Sequence, residues 1–444
     1  MALTLENVGA AGLTGPLYSG VDLEVGPGEC VCITGPTGCG KSTLLRTMAG
    51  LHEPGPGRVL LDGQPVSQAL PGRIGLILQN PDTQLLCADV GSELAFGLEN
   101  LRVPPEKITS RMLGAMSRVG LDHDTLPLDR PVGTLSVGQK YKLLLAAMLT
   151  MEPHILLLDE PCAQLDQGGI DALNSILENF LAAGGSVVLC EHDPAPLRAI
   201  GRILGIANRT LRPAVDTPPV ALPAPPSVPG KTAVVTMENA RLELGDKRIW
   251  ERLDFTLHQG EIAIIKGGNG SGKTSLLRCL TGFEPLSDGS ASVFGLTPTP
   301  KGLRGRVGLL IQNPARQLTA DTVLDEVSFP LTYRGLPKAR CRELAMDILE
   351  KLDLVALAER PPFLLSHGEQ HLVALASVLA VEPELLLLDD PFVGLDPAST
   401  TRVWSILHQA CLDGTSVICT LHRSPAVHGA HSVHELRAMG LIPC

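Results

Sequence analysis

The sequence feature that most constrains the fold is a glycine-rich loop that occurs twice. In the first copy, an apolar run from Cys30 to Ile33 precedes the loop, and the helical pattern Leu44–Ala49 follows it. Strand, glycine loop and helix in this order form a phosphate-binding loop, in which backbone N–H groups at a helix N-terminus face an anion. The loop consists of Gly35, Pro36, Thr37, Gly38, Cys39, Gly40, Lys41, Ser42 and Thr43.

The second copy of the loop follows an apolar run from Ile262 to Ile265. In such a loop the lysine reaches the β- and γ-phosphates of a nucleotide, and the hydroxyl residue after it ligates Mg²⁺. A glycine-rich turn with a surface lysine is the alternative, but the loop and both flanking elements agree with phosphate binding. The second loop consists of Gly267, Gly268, Asn269, Gly270, Ser271, Gly272, Lys273, Thr274 and Ser275.

The chain contains an internal duplication, which sets the domain plan. Landmarks that recur in one order at nearly one offset indicate two copies of one domain. The segment between the copies holds seven prolines from Pro213 to Pro229 and has no apolar periodicity, which predicts an extended linker. We therefore predict domains at residues 1–212 and 231–444, joined by a linker at 213–230. The offsets are 232 for Lys41 and Lys273, 233 for Gln79 and Gln312, and 230 for Ser136 and Ser366, Asp159 and Asp389, and His192 and His422.

Each copy is predicted to have an α/β fold with a mostly parallel sheet. Several short runs are apolar almost throughout, as in strands that are buried on both faces. Ser110–Val119 and Arg340–Leu352 have helical patterns and predict a helical subdomain in each copy. The predicted strands are Ile74–Leu78, Ile155–Leu158 and Ser186–Cys190 in the first copy, and Val307–Ile311, Leu385–Leu388 and Ser416–Thr420 in the second.

Composition narrows the classes of function. The net charge of −11 and the aromatic content of 3% argue against nucleic acid as a partner. No apolar run approaches the roughly 18 residues that a membrane span requires. Met1–Glu6 has neither a basic start nor a long apolar core, so we expect no signal peptide. The eleven cysteines are scattered and indicate core packing in a reduced, cytosolic compartment.

Two further motifs recur in each copy. A buried strand ends in Asp159 and Glu160, and the equivalent strand ends in Asp389 and Asp390. A carboxylate at this edge can hold Mg²⁺, and its neighbour can polarise an attacking water; polar strand termination is the alternative. Short serine and glycine motifs precede apolar helical runs and predict helix caps that double as anion sites. Those motifs contain Ser136, Gly138 and Gln139, and Ser366, Gly368 and Glu369.

Together these motifs resemble the ATP-binding cassette (ABC) family over nearly the whole chain. The resemblance implies tandem P-loop NTPase domains in which Gln79 and Gln312 are Q-loop residues, and His192 and His422 are switch histidines. It also implies that two ATP molecules are held between head-to-tail cassettes, each by one cassette's phosphate loop and the other's serine motif. The implied catalytic residues are Glu160, His192, Gln79, Asp390, His422 and Gln312, and the implied metal ligands are Ser42, Gln79, Asp159, Thr274, Gln312 and Asp389.

The second copy departs from the family pattern at one position. Asp390 stands where the family usually has a glutamate, so this carboxylate is shorter by one methylene. Catalytic groups must lie within hydrogen-bond reach of the attacking water. We therefore expect the first site to carry most of the hydrolysis and the second to turn over slowly.

The segment after each Q-loop glutamine resembles the ATPases of energy-coupling factor importers, which take up vitamins or cobalt and nickel ions. Gln79–Leu85 reads QNPDTQL and precedes an E-x-x-F helix at Glu93, and Gln312–Leu318 repeats the pattern. The resemblance implies a transmembrane coupling protein and a membrane substrate-binding component as partners, at the cytoplasmic face of the membrane. The alternatives are the fused ATPase of a sugar or peptide importer, or a soluble twin-cassette factor that acts on ribosomes or nucleic acid.

Overall fold

The computed structural model describes residues 1–12, 15–69, 71–122, 124, 126–163, 165–214, 225, 232–245, 247–422 and 429–443. The chain divides into two compact units, Met1–Pro218 (unit 1) and Pro219–Cys444 (unit 2). Most of the predicted linker at 213–230 lies outside the described residues, but Pro213 ends a strand and so belongs to unit 1.

Unit 1 alternates strands and helices after an N-terminal hairpin. Its elements are β1 (Leu3–Gly12), β2 (Gly15–Val25), β3 (Cys30–Thr34), α1 (Lys41–Met48), β4 (Arg58–Leu61), β5 (Gln64–Pro65), β6 (Ile74–Ile77), α2 (Val90–Asn100), α3 (Pro105–Arg118), α4 (Val137–Thr150), β7 (Ile155–Asp159), α5 (Gln167–Ala182), β8 (Ser186–Cys190), β9 (Arg202–Ala207) and β10 (Thr210–Pro213).

Unit 2 repeats this order, except that its described residues contain no counterpart of β5. Its elements are β11 (Ala233–Leu244), β12 (Lys247–His258), β13 (Ile262–Lys266), α6 (Lys273–Thr281), β14 (Asp288–Val293), β15 (Val307–Leu310), α7 (Val323–Thr332), α8 (Lys338–Lys351), α9 (His367–Leu379), β16 (Leu385–Asp389), α10 (Pro397–Leu412), β17 (Ser416–Leu421), β18 (Ser432–Arg437) and β19 (Gly440–Pro443).

The predicted parallel core is confirmed in both units. In unit 1 the strand order is β10-β9-β3-β8-β7-β6, and in unit 2 it is β15-β16-β17-β13-β18-β19; only the β9–β10 and β18–β19 pairs are antiparallel. The central strands β7 and β16 are buried along their whole length and are apolar up to their final aspartate, as in strands that are covered on both faces. The carboxyl ends of β3, β7 and β8 therefore meet at one edge, as do those of β13, β16 and β17.

Each unit also has an antiparallel sheet that the sequence patterns do not predict. Its described strands follow the order β2-β1-β4-β5 in unit 1 and β12-β11-β14 in unit 2. Leu44, Leu45 and Met48 of α1 share one apolar cluster with this sheet and with Val31 of β3. The helix after the phosphate loop is thus buried between the two sheets, which fixes the loop's position.

The predicted helical subdomains are present between the Q-loop glutamines and the serine motifs. In unit 1, Leu94 and Leu98 of α2 pack in one cluster with Met112 and Met116 of α3 and with Leu145 of α4. Helices α7, α8 and α9 form the equivalent cluster in unit 2. None of the helices in the described part of the chain is long and apolar enough to cross a membrane.

Candidate active site

The phosphate loop of each unit leads directly into a helix. Lys41 begins α1 and is almost fully buried, and its ammonium donates to the carbonyls of Gly35 at 2.8 Å and Pro36 at 3.1 Å. Lys273 makes the same two bonds to Gly267 at 2.7 Å and Gly268 at 3.2 Å. Both lysines are thereby held over their own loops, where the N–H groups at the helix N-terminus favour an anion.

Glycine is required at the last loop position before each helix. Gly40 has φ 99° and Gly272 has φ 96°, in the left-handed region that other residues seldom adopt. A Cβ atom on Gly272 would also lie 2.3 Å from the side chain of Ile249. A side chain at Gly272 would therefore have to displace the side chains of Ile249 and Trp250 on β12, so the close approach of sheet and loop depends on this glycine.

Asp159 of the first site can take a divalent cation. The Asp159 carboxylate, at the end of β7, is hydrogen-bonded to the Ser42 hydroxyl. Its Oδ1 atom is buried without a hydrogen-bond partner among the described residues. Burial raises the pKa of Asp159 to about 6, although the Ser42 hydrogen bond works in the opposite direction. A buried carboxylate with an unused oxygen beside a hydroxyl is a donor set that suits Mg²⁺.

The equivalent aspartate of unit 2 has more partners. The Thr274 hydroxyl donates to Asp389 Oδ2 at 2.6 Å, and the Thr420 hydroxyl donates to Oδ1. Burial raises the pKa of Asp389, while these two hydrogen bonds lower it. Unit 1 has Cys190 in place of Thr420, at the paired position of the neighbouring strand. The first site therefore retains the unused carboxylate oxygen that the second site has satisfied internally.

Glu160 joins the Q-loop glutamine to the switch histidine in unit 1. Gln79 Nε2 donates to Glu160 Oε2 at 2.6 Å, and His192 Nε2 lies 3.0 Å from Oε1. Glu160 has φ 46°, a conformation in which a residue with a side chain is held only by its surroundings. The structure thus brings together three predicted site residues that are far apart in sequence, with their polar atoms at the carboxyl edge of the sheet.

Asp390 has a different set of contacts. Its Oδ1 accepts from the backbone N–H of His422 at 3.0 Å, and its Oδ2 lies 2.7 Å from His422 Nε2. His422 Nδ1 lies 3.1 Å from Lys273 Nζ, and because a lysine ammonium only donates, this ring nitrogen accepts from it. Gln312 Nε2 lies 3.5 Å from His422 Nε2, whereas Gln79 reaches the carboxylate itself. The shorter side chain is thus drawn towards its own switch loop.

The serine motifs form the predicted helix caps. Ser136 Oγ accepts from the N–H of Gln139 at 3.3 Å, and the Gln139 side chain accepts from the N–H of Ser136 at 3.0 Å. Ser366 and Glu369 form the same capping box on α9. Gly138 and Gly368 lie in the first turns of α4 and α9. Gln139 and Glu369, predicted as ligand contacts, are engaged in these caps.

Two pairs of residues hold the Q-loops, and sequence reasoning includes them only as members of the motifs after each Q-loop glutamine. Gln84 Oε1 accepts from the N–H of Leu78 at 2.6 Å, and Gln84 Nε2 donates to the carbonyl of Leu76 at 3.0 Å, so β6 ends one residue before its predicted end. Gln317 does the same at the end of β15. Their separation, 317 − 84 = 233, equals that of Gln79 and Gln312, and this signal identifies them.

The second pair is Glu93 and Glu326, both buried. Glu93 Oε2 accepts from the backbone N–H groups of Leu86 at 2.9 Å and Cys87 at 2.8 Å. Glu326 Oε2 accepts at 2.7 Å from both Thr319 and Ala320. Each carboxylate thereby fastens the segment after the Q-loop glutamine to a helix of the helical subdomain.

Both units thus have the architecture of P-loop nucleotide-hydrolysing domains, with the polar residues gathered where parallel strands end. The model of the ABC transporter family matches residues 18–163 and 250–393. The chain belongs to that family, whose ATP-binding domains are ATPases. The predicted family and tandem-cassette fold are therefore confirmed.

Several proteins of related sequence and one solved structure are similar to this chain. A Bifidobacterium longum protein named "Putative ABC transporter ATP-binding protein" is 32% identical over 91% of this chain, which spans only 60% of that relative's length. A Streptomyces avermitilis protein of the same name is 30% identical, over 93% of this chain and 87% of its own. The Bacillus subtilis "Putative HMP/thiamine import ATP-binding protein YkoD" is 26% identical, over 96% of this chain and 88% of its own. The structure of cbiO1 from Clostridium perfringens, part of the ABC transporter complex cbiONQ, is 30% identical over 47% of this chain and 86% of its own, with a TM-score of 0.43.

Proposed function

We propose that the chain is the ATP-hydrolysing motor subunit of an energy-coupling factor type importer for vitamins or for cobalt or nickel ions. It works at the cytoplasmic face of the membrane with two partners, a transmembrane coupling protein and a membrane substrate-binding component. The observation that carries the transport role is the construction of the two Q-loop segments. The name of the Bacillus subtilis relative, which refers to import of a vitamin, supports the same class of client.

In this proposal each unit binds one ATP with Mg²⁺. Lys41 and Lys273 bind the phosphates together with the N–H groups of their loops. Mg²⁺, when bound, neutralises phosphate charge. Glu160 holds the attacking water, and His192 contacts the γ-phosphate. The metal would be held by Ser42, Gln79 and Asp159 in the first site and by Thr274, Gln312 and Asp389 in the second.

The two cassettes pair head to tail within the chain. Ser366, Gly368 and the cap of α9 then complete the first site, and Ser136, Gly138 and the cap of α4 complete the second. Closure around ATP changes the separation of the two Q-loop segments, and this movement drives the membrane partners. The covalent connection between the cassettes keeps their effective concentration high.

The first site carries most of the hydrolysis. Glu160 is held by Gln79 and His192 with its carboxylate between them. Asp390 instead accepts the backbone N–H of its own switch histidine. A misplacement of about 1 Å can cost about 10²-fold in rate. The second site therefore binds ATP and turns over slowly.

The transport role depends on the surface beside Gln79. Gln84 and Glu93 fix the backbone from Leu76 to Cys87 between the parallel sheet and α2. Leu86 on this segment is 69% exposed, and Phe96 on α2 is 44% exposed. A rigid backbone that presents apolar side chains is suited to bind a helix of a partner protein. A helix that is docked there would be displaced when the Q-loop moves.

The experiment is affinity purification of the tagged full chain from detergent-solubilised membranes of its native cells. We expect transmembrane proteins to co-purify, and Leu86→Asp to reduce their recovery. Met439→Asp is the matched control, because Met439 is 73% exposed and lies in the turn between β18 and β19. Recovery of ribosomes without membrane proteins would contradict the transport role, as would equal recovery with Leu86→Asp and Met439→Asp.

A further inference from the structure

Unit 1 has a buried carboxylate beside the switch histidine that none of the motifs includes. Glu191 lies between the end of β8 and His192 and is 5% exposed. Its Oε1 accepts from the backbone N–H of Cys162 at 2.7 Å, and its own N–H donates to the carbonyl of Ile33 at 3.2 Å. Glu191 thereby connects the end of the phosphate-loop strand to the turn that follows Glu160.

The bonded turn begins at Glu160, whose backbone is in the left-handed region with φ 46°. The N–H of Glu160 donates to the carbonyl of Cys190 at 2.9 Å, and the carbonyl of Glu160 accepts from Ala163 at 3.1 Å. The bond from Cys162 to Glu191 fixes the residue between these two anchors. The two equivalent backbone bonds hold Asp390 at φ 52° in unit 2, so the bond to Glu191 is an additional anchor of this turn in unit 1.

Unit 2 builds the same junction without a carboxylate. Position 421, which is 191 + 230, is Leu421, and position 392, which is 162 + 230, is Phe392. Leu421 is buried in the apolar cluster of unit 2, and Phe392 stacks on Trp404 with ring centroids 5.1 Å apart. A leucine has no acceptor atom, so the junction in unit 2 depends on apolar packing.

The difference between Glu191 in unit 1 and Leu421 in unit 2 indicates that Glu191 has a role beyond packing. A buried carboxylate loses its hydration unless hydrogen bonds compensate it, so leucine is the less costly residue at such a place. We propose that Glu191 is a positioning residue for hydrolysis at the first site: its hydrogen bond to Cys162 keeps the Glu160 carboxylate between Gln79 and His192. This inference rests on the proposed role of Glu160 in hydrolysis.

The test compares steady-state ATP hydrolysis by the full chain with Mg²⁺ and the variants Glu191→Leu and Glu191→Gln. We expect Glu191→Leu to lower kcat by about 10-fold and to leave the KM for ATP within about twofold, because the loop is displaced but the phosphate site is not. Glu191→Gln keeps an acceptor oxygen and should retain kcat within about twofold. Glu191→Met, which keeps the length but lacks the acceptor, should behave as Glu191→Leu does and serves if the leucine variant does not fold.

A double variant distinguishes a role of Glu191 in positioning Glu160 from a general loss of structure. In the Glu160→Gln background, Glu191→Leu should cause no further loss, because Glu191 acts through Glu160. A further loss in that background would overturn the proposal. A wild-type kcat in Glu191→Leu or Glu191→Met would also overturn it. Equal losses of kcat in Glu191→Leu and Glu191→Gln would do the same. Wild-type turnover in Glu160→Gln alone would instead remove the proposed function of the first site, and this inference with it.

Discussion

At the residue scale, the two sites differ by substitutions that change which oxygen atoms are available. Unit 1 has Cys190 where unit 2 has Thr420. Asp159 Oδ1 therefore has no hydrogen-bond partner among the described residues, while Asp389 Oδ1 has one. Unit 1 has Glu160 where unit 2 has Asp390. The Glu160 carboxylate accepts from the Q-loop glutamine Gln79, whereas the Asp390 carboxylate accepts from the backbone of the switch histidine His422. Both differences concern groups that we propose to touch the metal or the attacking water.

The first prediction concerns the two carboxylates that we propose to act on water. Glu160→Gln should lower the ATPase rate of the full chain by about 100-fold, because the proton acceptor is lost from the site that we propose to carry most of the hydrolysis. Asp390→Asn should leave the rate within about twofold. Steady-state phosphate release measures both. Equal losses in the two variants would contradict the proposed asymmetry.

The second prediction concerns stability as a function of pH. Burial raises the pKa of Asp159 from 3.8 to about 6, so the folded chain disfavours the ionised carboxylate. The penalty is absent well below pH 3.8, increases as the pH rises and levels off above about pH 6. By linkage it amounts to about 3 kcal/mol at pH 7.5 and about 1 kcal/mol at pH 4.5.

Asp159→Asn removes this penalty because its side chain is neutral. We expect it to raise the thermal unfolding midpoint in EDTA at pH 7.5 and to raise it much less at pH 4.5. Asp171→Asn on the exposed side of α5 is the control and should change neither midpoint by a comparable amount. A larger gain at pH 4.5 than at pH 7.5 would show the opposite sign and contradict the argument.

At the element scale, the segment between β6 and α2 is fixed at both ends by side chains. Gln84 binds backbone atoms at the end of β6, and Glu93 on α2 binds the N–H groups of Leu86 and Cys87. The segment is therefore attached both to the parallel sheet and to the helical subdomain. A shift of α2 relative to the sheet must act on the loop that begins at Gln79.

The third prediction follows from the buried carboxylate of Glu93. Glu93→Ala removes the acceptor of the backbone N–H groups of Leu86 and Cys87 and should lower the free energy of unfolding by about 1–3 kcal/mol. Amide hydrogen exchange at Leu86 and Cys87 should become faster. Glu99→Ala, at an exposed position of the same helix, is the matched control. Unchanged exchange at these two amides would show that the hydrogen bonds do not hold the segment.

Element boundaries also show the limits of sequence patterns. The six predicted core strands are present, because runs such as Leu385–Leu388 are buried on both faces. The antiparallel sheets are not predicted, because β1 and β2 change register at several points and their alternation of apolar residues is broken there. The early end of β6 depends on Gln84, whose side chain occupies the position of a neighbouring strand.

At the scale of the whole molecule, one polypeptide carries two cassettes of the same family. In the proposed mechanism each site needs residues from both units. A covalent connection makes this pairing intramolecular, so it does not depend on protein concentration.

The fourth prediction tests this pairing. A protease site inserted into the 213–230 segment should leave the specific ATPase activity of the uncut chain constant on dilution. After cleavage, activity per chain should fall as the protein is diluted, because the cassettes must now meet by diffusion. Activity of the cleaved sample that stays constant down to nanomolar concentration would contradict the need for both units in each site.

The sequence by itself determined the duplication, the family and the chemical groups at each site. A phosphate loop is a local structure whose backbone requirements, such as glycine at Gly40 and Gly272, can be read from nine consecutive residues. Only the tertiary structure decided which atoms of those groups are engaged. Gln79 and Glu160 are 81 residues apart, and Thr420 and Asp389 are 31 apart, so their hydrogen bonds exist because neighbouring strands end at the same edge of the sheet. Substitutions on an adjacent strand, such as Cys190 for Thr420, change a site without changing its motif.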